Sequence, residues 1–363
     1  MSLFFRFPHL RFSPLLFGAA ALSALTACDP DDKEVEPVTI LPGSVLVVNE
    51  GNFQKSNAEV SVINKSGPSV PYAAAFEAAN KRPLGDVAQS LAMQGSTAYI
   101  VVNNSNKVEV VSLPHFKSVA TVGGLALPRY FAAASAEKGY VTETVSYSAS
   151  AGRVSVLDLR TNTVTKTVAV GRQPERLLVA GNRLYVTNNG DNTVTVINTA
   201  TDAVEATITV GDAPNSVVQD RAGTVWVLSG GRVAYNPDYS IDYSRTTKGS
   251  LAAIVPGQTT AAVREMPTNL SQPNRLTTNG TKDQLYYTFR GGVYTLGIGD
   301  ANLPTAPTIR RSFYGLGVDP QDGTVYGAVA SFTAPDKIIR YRPTGAAIDS
   351  FTVNIGPNGF VFY

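Results

Sequence analysis

Residues 184–198 read LYVTNNGDNTVTVIN, in which two segments of β-forming residues flank the polar stretch NGDN. Asn, Gly and Asp favour tight turns, and TVTVIN alternates polar and apolar residues as a half-buried strand does. Before this stretch, ERLLVA (175–180) predicts an innermost strand that turns at Gly181 and Asn182, and residues 203–210 predict a fourth strand. This part of the chain therefore reads as one unit of four antiparallel strands.

The same unit recurs along the chain. When the copies are aligned on the Tyr of LYVTN, seven positions correspond: Leu46, Tyr99, Tyr140, Tyr185, Trp226, Tyr286 and Tyr326. Most of the spacings are about 40 to 45 residues, which is the length of one four-stranded blade, and two longer spacings fit insertions at 76–86 and 229–249. Helical periodicity is weak throughout. The sequence predicts an all-β fold, a seven-bladed β-propeller of four-stranded antiparallel blades over residues 43–363.

The two ends of the repeat region are complementary. The first repeat begins with a second-strand pattern, SVLVVN (44–49), and no innermost strand precedes it. The chain ends in GFVFY (359–363), which follows IGPN just as innermost strands follow GDAPN elsewhere. We expect residues 360–363 to pair beside residues 45–48, because closing the ring removes strand edges that invite aggregation.

The first 27 residues differ in character from the repeats. Arg6 and Arg11 come before an apolar run, residues 15–25, that is too short to span a bilayer. A basic start followed by a short apolar run is typical of a secretory signal peptide, which we assign to residues 1–27.

The end of this segment, LTAC (25–28), resembles the lipobox of bacterial lipoproteins. The resemblance implies lipid attachment at Cys28, the single Cys of the chain, and an ordinary signal peptide with a chance Cys is the alternative. The charged, Pro-containing residues that follow predict an extended tether over residues 28–42. An acidic run beside the Cys is similar to a surface-export signal of some Gram-negative lineages. In other lineages an Asp after the Cys retains lipoproteins at the inner membrane, so both sides stay open.

The amino-acid composition excludes several classes of function. The chain has 30 Lys and Arg against 28 Asp and Glu, and without the two Arg of the signal peptide the charges balance, so nucleic acid is not an expected partner. Once His9 leaves with the signal, His115 is the only His, and it falls at a predicted exposed turn. Catalysis by Ser-His-Asp or Cys-His groups needs a His base held by an orienting partner, and multi-His metal sites need several imidazoles. A single exposed His meets neither requirement. We therefore expect a non-catalytic protein, not an enzyme, with no metal and no cofactor.

Carboxylate chemistry stays open. Glu50, Asp86, Glu143 and Glu175 fall near strand ends that should converge on one face, where they could bind Ca²⁺ or act as acid and base. The structural alternative is that these side chains are solvated or cap turns.

In a four-stranded blade, the loops from second to third strand and from fourth strand to the next blade emerge on one face. We call it the loop-rich face, and polar, Arg and aromatic residues gathered there favour a small-molecule site. The Tyr-rich insertion at 229–249 should lie above it, unless it packs on its own blade. Turn residues of the opposite face, such as His115 and Asp202, should not contribute to binding. The predicted ligand-binding residues are Asn49, Glu50, Asn52, Phe53, Asp86, Gln89, Arg129, Tyr130, Glu175, Arg176, Asn215, Tyr235, Tyr239, Tyr243, Arg275 and Tyr314.

The LYVTN stretch resembles the YVTN-repeat, or surface-layer-type, propeller family. In addition, VNEGNF (48–53), RPLGDVAQS (82–90) and YIVVNN (99–104) look like a lipoprotein family of unknown function found beside outer-membrane uptake systems. Some similar surface propeller lipoproteins capture cobalamin and pass it to a TonB-dependent transporter. The resemblance thus implies an outer-membrane lipoprotein with a ligand such as a corrinoid and a transporter partner.

Two other functions remain in view. A protein-protein interaction scaffold in the envelope would show a broad apolar rim. A carboxylate-dependent hydrolase such as a lactonase would show a tight carboxylate cluster with a shifted pKa.

Overall fold

The computed structural model describes residues 37–67 and 69–363. Within these residues the strands form seven antiparallel sheets, and the one helix, α1 (Ala75–Asn80), is six residues long. The all-β, seven-bladed β-propeller predicted from the sequence is therefore confirmed.

The strands follow the chain from blade to blade. Blade 1 contains β1 (Ser44–Asn49), β2 (Glu59–Asn64) and β3 (Ser69–Tyr72), and blade 2 contains β4 (Ala88–Gln94), β5 (Thr97–Val102), β6 (Lys107–Ser112) and β7 (Lys117–Val122). Blade 3 contains β8 (Pro128–Ala133), β9 (Lys138–Glu143), β10 (Gly152–Asp158) and β11 (Thr163–Val170). Blade 4 contains β12 (Pro174–Ala180), β13 (Arg183–Asn188), β14 (Thr193–Asn198) and β15 (Ala203–Thr209).

The remaining blades complete the ring. Blade 5 contains β16 (Pro214–Gln219), β17 (Val225–Ser229), β18 (Ser250–Ile254) and β19 (Ala262–Glu265), and blade 6 contains β20 (Asn274–Thr278), β21 (Gln284–Phe289) and β22 (Gly292–Gly297). Blade 7 contains β23 (Gly315–Val318), β24 (Val325–Val329), β25 (Lys337–Tyr341) and β26 (Ala347–Thr352). The last strand, β27 (Pro357–Phe362), is the innermost strand of blade 1.

Blade 6 departs from the four-stranded pattern. Its fourth strand is reduced to an isolated bridge, in which the N–H of Val293 donates to the carbonyl of Ile309 at 2.9 Å. The segment that approaches β22 contains Pro304 and Pro307. Proline cannot donate to a strand ladder, so a full outer strand does not form there.

The repeat alignment is confirmed by the core. All seven aligned residues lie on second strands, and none is more than 5% exposed. Their side chains pack between blades: Tyr99 of blade 2, for example, stacks on Phe131 of blade 3 with ring centroids 4.2 Å apart. The apolar alternation of each repeat thus builds the contacts that hold neighbouring blades together.

The predicted ring closure is also confirmed. Strand β27 pairs antiparallel with β1, and Val45 lies opposite Phe362 while Val47 lies opposite Phe360. Both Phe rings contact Tyr326 of blade 7, at centroid distances of 5.3 Å for Phe362 and 5.7 Å for Phe360. The C-terminal strand therefore joins the first blade to the last.

The insertion at 76–86 does not form a loop over the face. Its first part is α1, which packs against β2 and β7 with Phe76 fully buried. The carboxylate of Glu59 accepts the N–H groups of Phe76 (3.1 Å) and Glu77 (3.2 Å), and so caps the helix. Only the end of the insertion, at Asp86, returns to the loop-rich face.

The N-terminal predictions lie largely outside the described residues, including the signal peptide at 1–27 and Cys28. Of the tether predicted over 28–42, residues 37–42 are described, and there Val38 and Ile40 are buried in the core beside blades 1 and 2. Val38 and Ile40 are therefore packed on the propeller. No helix in the described part of the chain has the length and apolar character required to cross a lipid bilayer.

Candidate functional site

A cavity of about 540 Å³ opens at the loop-rich face, and we call it the mouth cavity. Its walls come from all seven blades and are mostly polar or aromatic: Glu50, Phe53, Val87, Gln89, Asn103, Arg129, Tyr130, Tyr147, Glu175, Arg176, Asn189, Asn215, Asn274, Arg275 and Tyr314. Below it, the innermost strands surround a central channel of about 470 Å³. Four residues line both spaces, namely Gln89, Tyr130, Arg176 and Arg275. They mark the level at which the two cavities meet.

The mouth is built by irregular strand pairing. In six of the seven blades the innermost strand shifts register against the second strand close to the loop-rich face; blade 7 is the regular one. A β-bulge leaves residues without a partner and re-aims their side chains. The residues skipped at these shifts are Gln89, Arg129, Tyr130, Glu175, Arg176, Asn215, Arg275, Leu276 and Asn358. Most of the polar groups of the cavity therefore project from bulges.

The Thr of the repeated motif supports these bulges. The Thr187 hydroxyl accepts the backbone N–H of Arg176 at 3.0 Å and donates to its carbonyl at 3.2 Å. Thr142, in the preceding repeat, accepts the N–H of Tyr130 at 3.1 Å. Both Thr side chains are buried, so they satisfy backbone groups that the irregular ladder leaves without partners. The repeat motif thus positions the site as well as the fold.

Arg129 is the centre of a network across blades 2, 3 and 4. Its guanidinium makes two 2.8 Å hydrogen bonds to the Glu175 carboxylate and one of 2.6 Å to the side-chain oxygen of Gln89. The amide of Gln89 donates in turn to the Tyr130 hydroxyl at 3.1 Å. Burial alone would lower the pKa of Arg129, but Glu175 outweighs it, so this pKa lies above its usual value. The charge of Arg129 is fixed and neutralised within the protein.

Glu50 is likewise engaged. One of its oxygens accepts the Tyr314 hydroxyl at 2.8 Å and the other accepts the Asn358 amide at 2.6 Å. Burial, followed by the negative charge of Glu50, raises the pKa of Tyr314 above its usual value. Tyr314 therefore keeps its proton and remains a donor to Glu50 at neutral pH.

Arg176 and Arg275 differ from Arg129 in having no carboxylate partner. Within residues 37–67 and 69–363, no Asp or Glu oxygen lies within ion-pair distance of either guanidinium. Each lies over an aromatic ring instead: Arg176 is 4.1 Å from the centroid of Tyr130, and Arg275 is 5.1 Å from that of Tyr314. These cation–π contacts hold both groups at the cavity wall without neutralising them.

The structure brings ten of the sixteen predicted ligand-binding residues into the cavity wall. They are Glu50, Phe53, Gln89, Arg129, Tyr130, Glu175, Arg176, Asn215, Arg275 and Tyr314. Their convergence is a fact of the structure, and their role in binding stays a prediction.

Three of the other six serve the scaffold. Asn49 is buried and donates to Val47 (3.1 Å) and Ser61 (3.0 Å) within its own blade. The carboxylate of Asp86 accepts the backbone N–H of Gln54, and Asn52 donates to the carbonyl of Phe332 at 2.7 Å. Their polar atoms hold loops in place, which corrects the expectation that they face the cavity.

The Tyr-rich insertion is the second correction. Tyr235, Tyr239 and Tyr243 are 56%, 88% and 50% exposed, and none of them lines the mouth cavity. Two hydrogen bonds hold the loop. Arg245 donates to the carbonyl of Tyr235 at 2.8 Å within the loop, and Asn269, which lies between β19 and β20, donates to the carbonyl of Tyr243 at 2.7 Å. The three rings stand on the loop-rich face beside the cavity.

Five residues of the cavity wall are not among the predicted ligand-binding residues: Val87, Asn103, Tyr147, Asn189 and Asn274. The sequence contains a pattern that could have predicted two of them. Asn274 follows Pro273 as Asn215 follows Pro214, and Asn189 occupies the position after the motif LYVTN.

The four carboxylates of the open hydrolase hypothesis do not cluster. Glu143 is fully buried and bonds Arg153 at 2.8 Å, whereas Glu50, Asp86 and Glu175 have the separate partners given above. Among residues 37–67 and 69–363 no group of three or more His, Cys, Asp or Glu side chains is placed to hold a metal ion. Asp202, at the opposite face, accepts the Tyr140 hydroxyl at 2.6 Å, so it links blades 3 and 4.

A family model for a domain of unknown function, DUF5074, matches residues 43–339, and the chain belongs to this family. Among curated proteins no similar sequence is found. The fold resembles a functionally unknown protein from Desulfotomaculum acetoxidans, with a TM-score of 0.66, 10% identity and coverage of 88% of this chain and 98% of that one.

Two further solved structures are similar. A quinonprotein alcohol dehydrogenase-like protein from Bacteroides thetaiotaomicron gives a TM-score of 0.64 at 14% identity, covering 88% of this chain and 78% of that one. A candidate 6-phosphogluconolactonase from Bacteroides uniformis gives 0.61 at 13% identity, covering 88% and 99%. At these identities the likeness concerns the propeller fold alone.

Proposed function

We propose that this protein is a non-catalytic binding protein that holds a small molecule in the mouth cavity. The observation that carries the proposal is the set of bulges, which direct polar and aromatic side chains from different blades into one space. The cavity volume of about 540 Å³ is of the size that proteins use for small ligands. Binding is favoured over catalysis because, among the described residues of the cavity wall, each carboxylate is engaged with its own partner and no two of them form an acid–base pair.

The finer part of the proposal concerns location and cargo. We propose a lipid anchor at Cys28, an outer-membrane and surface-exposed location, a corrinoid as the first ligand to test, and a TonB-dependent transporter as recipient. The support is the resemblance of the LTAC segment to a lipobox and of the VNEGNF and RPLGDVAQS segments to lipoproteins of uptake systems. Cys28→Ser should move the protein out of the membrane fraction, because the lipid chains are the anchor. Unchanged fractionation of that variant would contradict the lipid anchor, and protease shaving of intact cells tests the side.

Binding itself is tested by metabolite capture. The full-length protein is equilibrated with a metabolite extract, washed and denatured, and the released compounds are identified by mass spectrometry. We expect compounds that the wild type enriches and that Tyr130→Ala and Arg176→Ala lose, whereas His115→Ala, on the opposite face, retains them. Folding of each variant is checked by its melting temperature. Equal capture by all four proteins, or none by the wild type, would refute metabolite capture by the mouth.

The corrinoid is tested separately by calorimetric titration with cyanocobalamin. Because Arg and Tyr dominate binding hot spots, Arg129→Ala, Tyr130→Ala and Arg176→Ala should each cost about 1 to 4 kcal/mol of binding free energy. No heat with the wild type would remove the corrinoid from the proposal.

A second function, a scaffold for another protein, is favoured by one observation. Every large aromatic side chain that is exposed in the described residues lies on the loop-rich face: Phe53, Tyr147, Tyr235, Tyr239, Tyr243 and Tyr314. Exposed aromatic side chains gathered on one face are typical of an interaction surface. Cross-linking in intact cells would separate the two functions, since Tyr239→Ser should abolish a protein complex and leave metabolite capture unchanged.

A further inference from the structure

We infer that the ligand of the mouth cavity carries an anionic group, a carboxylate or a phosphate, which binds between Arg176 and Arg275. The inference rests on the proposed function and names the class of its ligand. Three Arg and two Glu line the cavity, so its wall has one positive charge in excess. The distribution of these charges matters more than their sum.

One of the three positive charges is neutralised by an ion pair within the protein. Arg129 forms its bidentate pair with Glu175, and Glu50 receives the hydroxyl of Tyr314 and the amide of Asn358. Both carboxylates of the cavity wall are therefore already bonded to partners within the protein. An incoming cation would find no free carboxylate there, and an incoming anion would find two guanidiniums.

The donors of these guanidiniums are nearly unused. A guanidinium has five N–H donors in a planar fork that fits carboxylate and phosphate oxygens. Among the described residues the side chain of Arg176 donates to no protein acceptor, and that of Arg275 makes one long bond of 3.4 Å to the carbonyl of Asn358. The N–H groups of both therefore remain available to a ligand.

The two groups are also held ready for binding. Tyr130 supports Arg176 and Tyr314 supports Arg275, and the two Arg stand on blades 4 and 6. Blade 5, between them, contributes Asn215, whose neighbours in the wall are Asn189 and Asn274. A side chain fixed before binding loses less conformational entropy when the ligand arrives, which favours affinity.

A purely structural role for the two Arg is the competing explanation. If stacking on Tyr were their whole purpose, an Arg→Gln change would lower the melting temperature and would not affect ligand discrimination. An anion site instead predicts that the ligand's charge decides whether it binds.

The test uses the full-length protein and two polyanions, citrate for carboxylate chemistry and pyrophosphate for phosphate chemistry. We expect calorimetry to detect binding of at least one of them, with an affinity that falls as ionic strength rises. Arg176→Gln and Arg275→Gln should each weaken it by about tenfold or more, because a charged hydrogen-bond donor is lost. Arg176→Lys, which keeps the charge, should retain part of the affinity. Arg160→Gln, an exposed Arg of the opposite face, is the matched control and should bind as the wild type does.

The outcomes separate this inference from the proposed function. If neither polyanion binds, or if both Arg→Gln variants bind it as the wild type does, the anion site is wrong. If metabolites captured in a Tyr130-dependent way all prove to be uncharged, the anion site is also wrong although the binding function stands. If no metabolite is captured through the mouth while citrate or pyrophosphate binds there, the anion site stands and capture fails.

Discussion

Removing the closing strand should open the propeller. Strand β27 belongs to blade 1 but comes from the other end of the chain, since more than 290 residues separate it from β1. Deletion of residues 359–363 removes the pairings that place Gly359, Phe360, Val361 and Phe362 opposite β1. It leaves β1 with an exposed edge at the centre of the ring and removes the contacts of Phe360 and Phe362 with Tyr326 of blade 7.

The size of the effect follows from what is lost. About four strand hydrogen bonds contribute roughly 1 kcal/mol each. Three half-buried apolar side chains, Phe360, Val361 and Phe362, contribute about 1 kcal/mol each when half of the value for full burial is counted. The sum of about 7 kcal/mol is comparable with the entire free energy of unfolding of an ordinary protein, about 5 to 15 kcal/mol. We therefore expect the truncated chain to lose cooperative unfolding or to melt at a much lower temperature.

Circular dichroism and calorimetric melting of the full-length and truncated proteins measure this. Single changes give a graded test that does not depend on a folded truncation: Phe360→Ala and Phe362→Ala should each cost about 1 to 2 kcal/mol. Ile348→Ala, on the exposed outer strand β26, is the control and should stay within about 0.5 kcal/mol. A truncated protein that melts at the wild-type temperature, with the same cooperativity, would refute the closure.

Three further predictions concern single groups. Burial raises the pKa of Glu59 to about 7 from a usual value of 4.5, so the folded state retains a proton that the unfolded chain releases. Its stabilising contribution is thus complete below pH 4.5 and is lost as the pH rises to about 7. Urea unfolding across this range should show the slope, and Glu59→Gln should lack it; equal slopes would contradict the shift. Removing either partner of the Arg129–Glu175 pair should cost about 3 kcal/mol, and the double variant should cost less than the sum, whereas additivity in a double-mutant cycle would argue against coupling. Thr187→Val should cost about 1 to 3 kcal/mol and weaken ligand binding through Arg176, because the bulged backbone loses its partner; an unchanged melting temperature would show that Thr187 does not support the bulge.

Sequence patterns predicted those features that depend on local alternation and on turn residues. The strands at 174–180 and 193–198 lie where ERLLVA and TVTVIN place them, and the pairing of residues 360–362 with 45–47 follows from one repeat being incomplete at each end. The strands could be predicted because neighbouring residues determine them, and the closure could be predicted because the repeat shows which strand is missing at one end and surplus at the other.

The orientation of single side chains, where it depends on contacts with distant segments, could not be predicted from the sequence. Asp86 and Asn49 have the polar character expected of ligand-binding residues, but their orientation depends on Gln54 and Ser61, which come from other turns and strands. The bulges that build the mouth depend on register between two strands, which alternation does not reveal. Conversely, the exposed rings of the insertion at 229–249 depend on how that loop is fastened, and its hydrogen bonds join residues far apart in the segment.

Amide hydrogen exchange with and without ligand tests whether the bulges of the innermost strands form a ligand-binding mouth. The full-length protein is compared alone and with whichever of citrate, pyrophosphate and cyanocobalamin binds it most tightly. We predict slower exchange in the segments at 127–131, 173–177, 213–216 and 273–276, where the bulges lie, and no change in the opposite-face turns at 181–182 and 199–202. Protection confined to those turns, or none at the bulges from any of the three compounds, would contradict it.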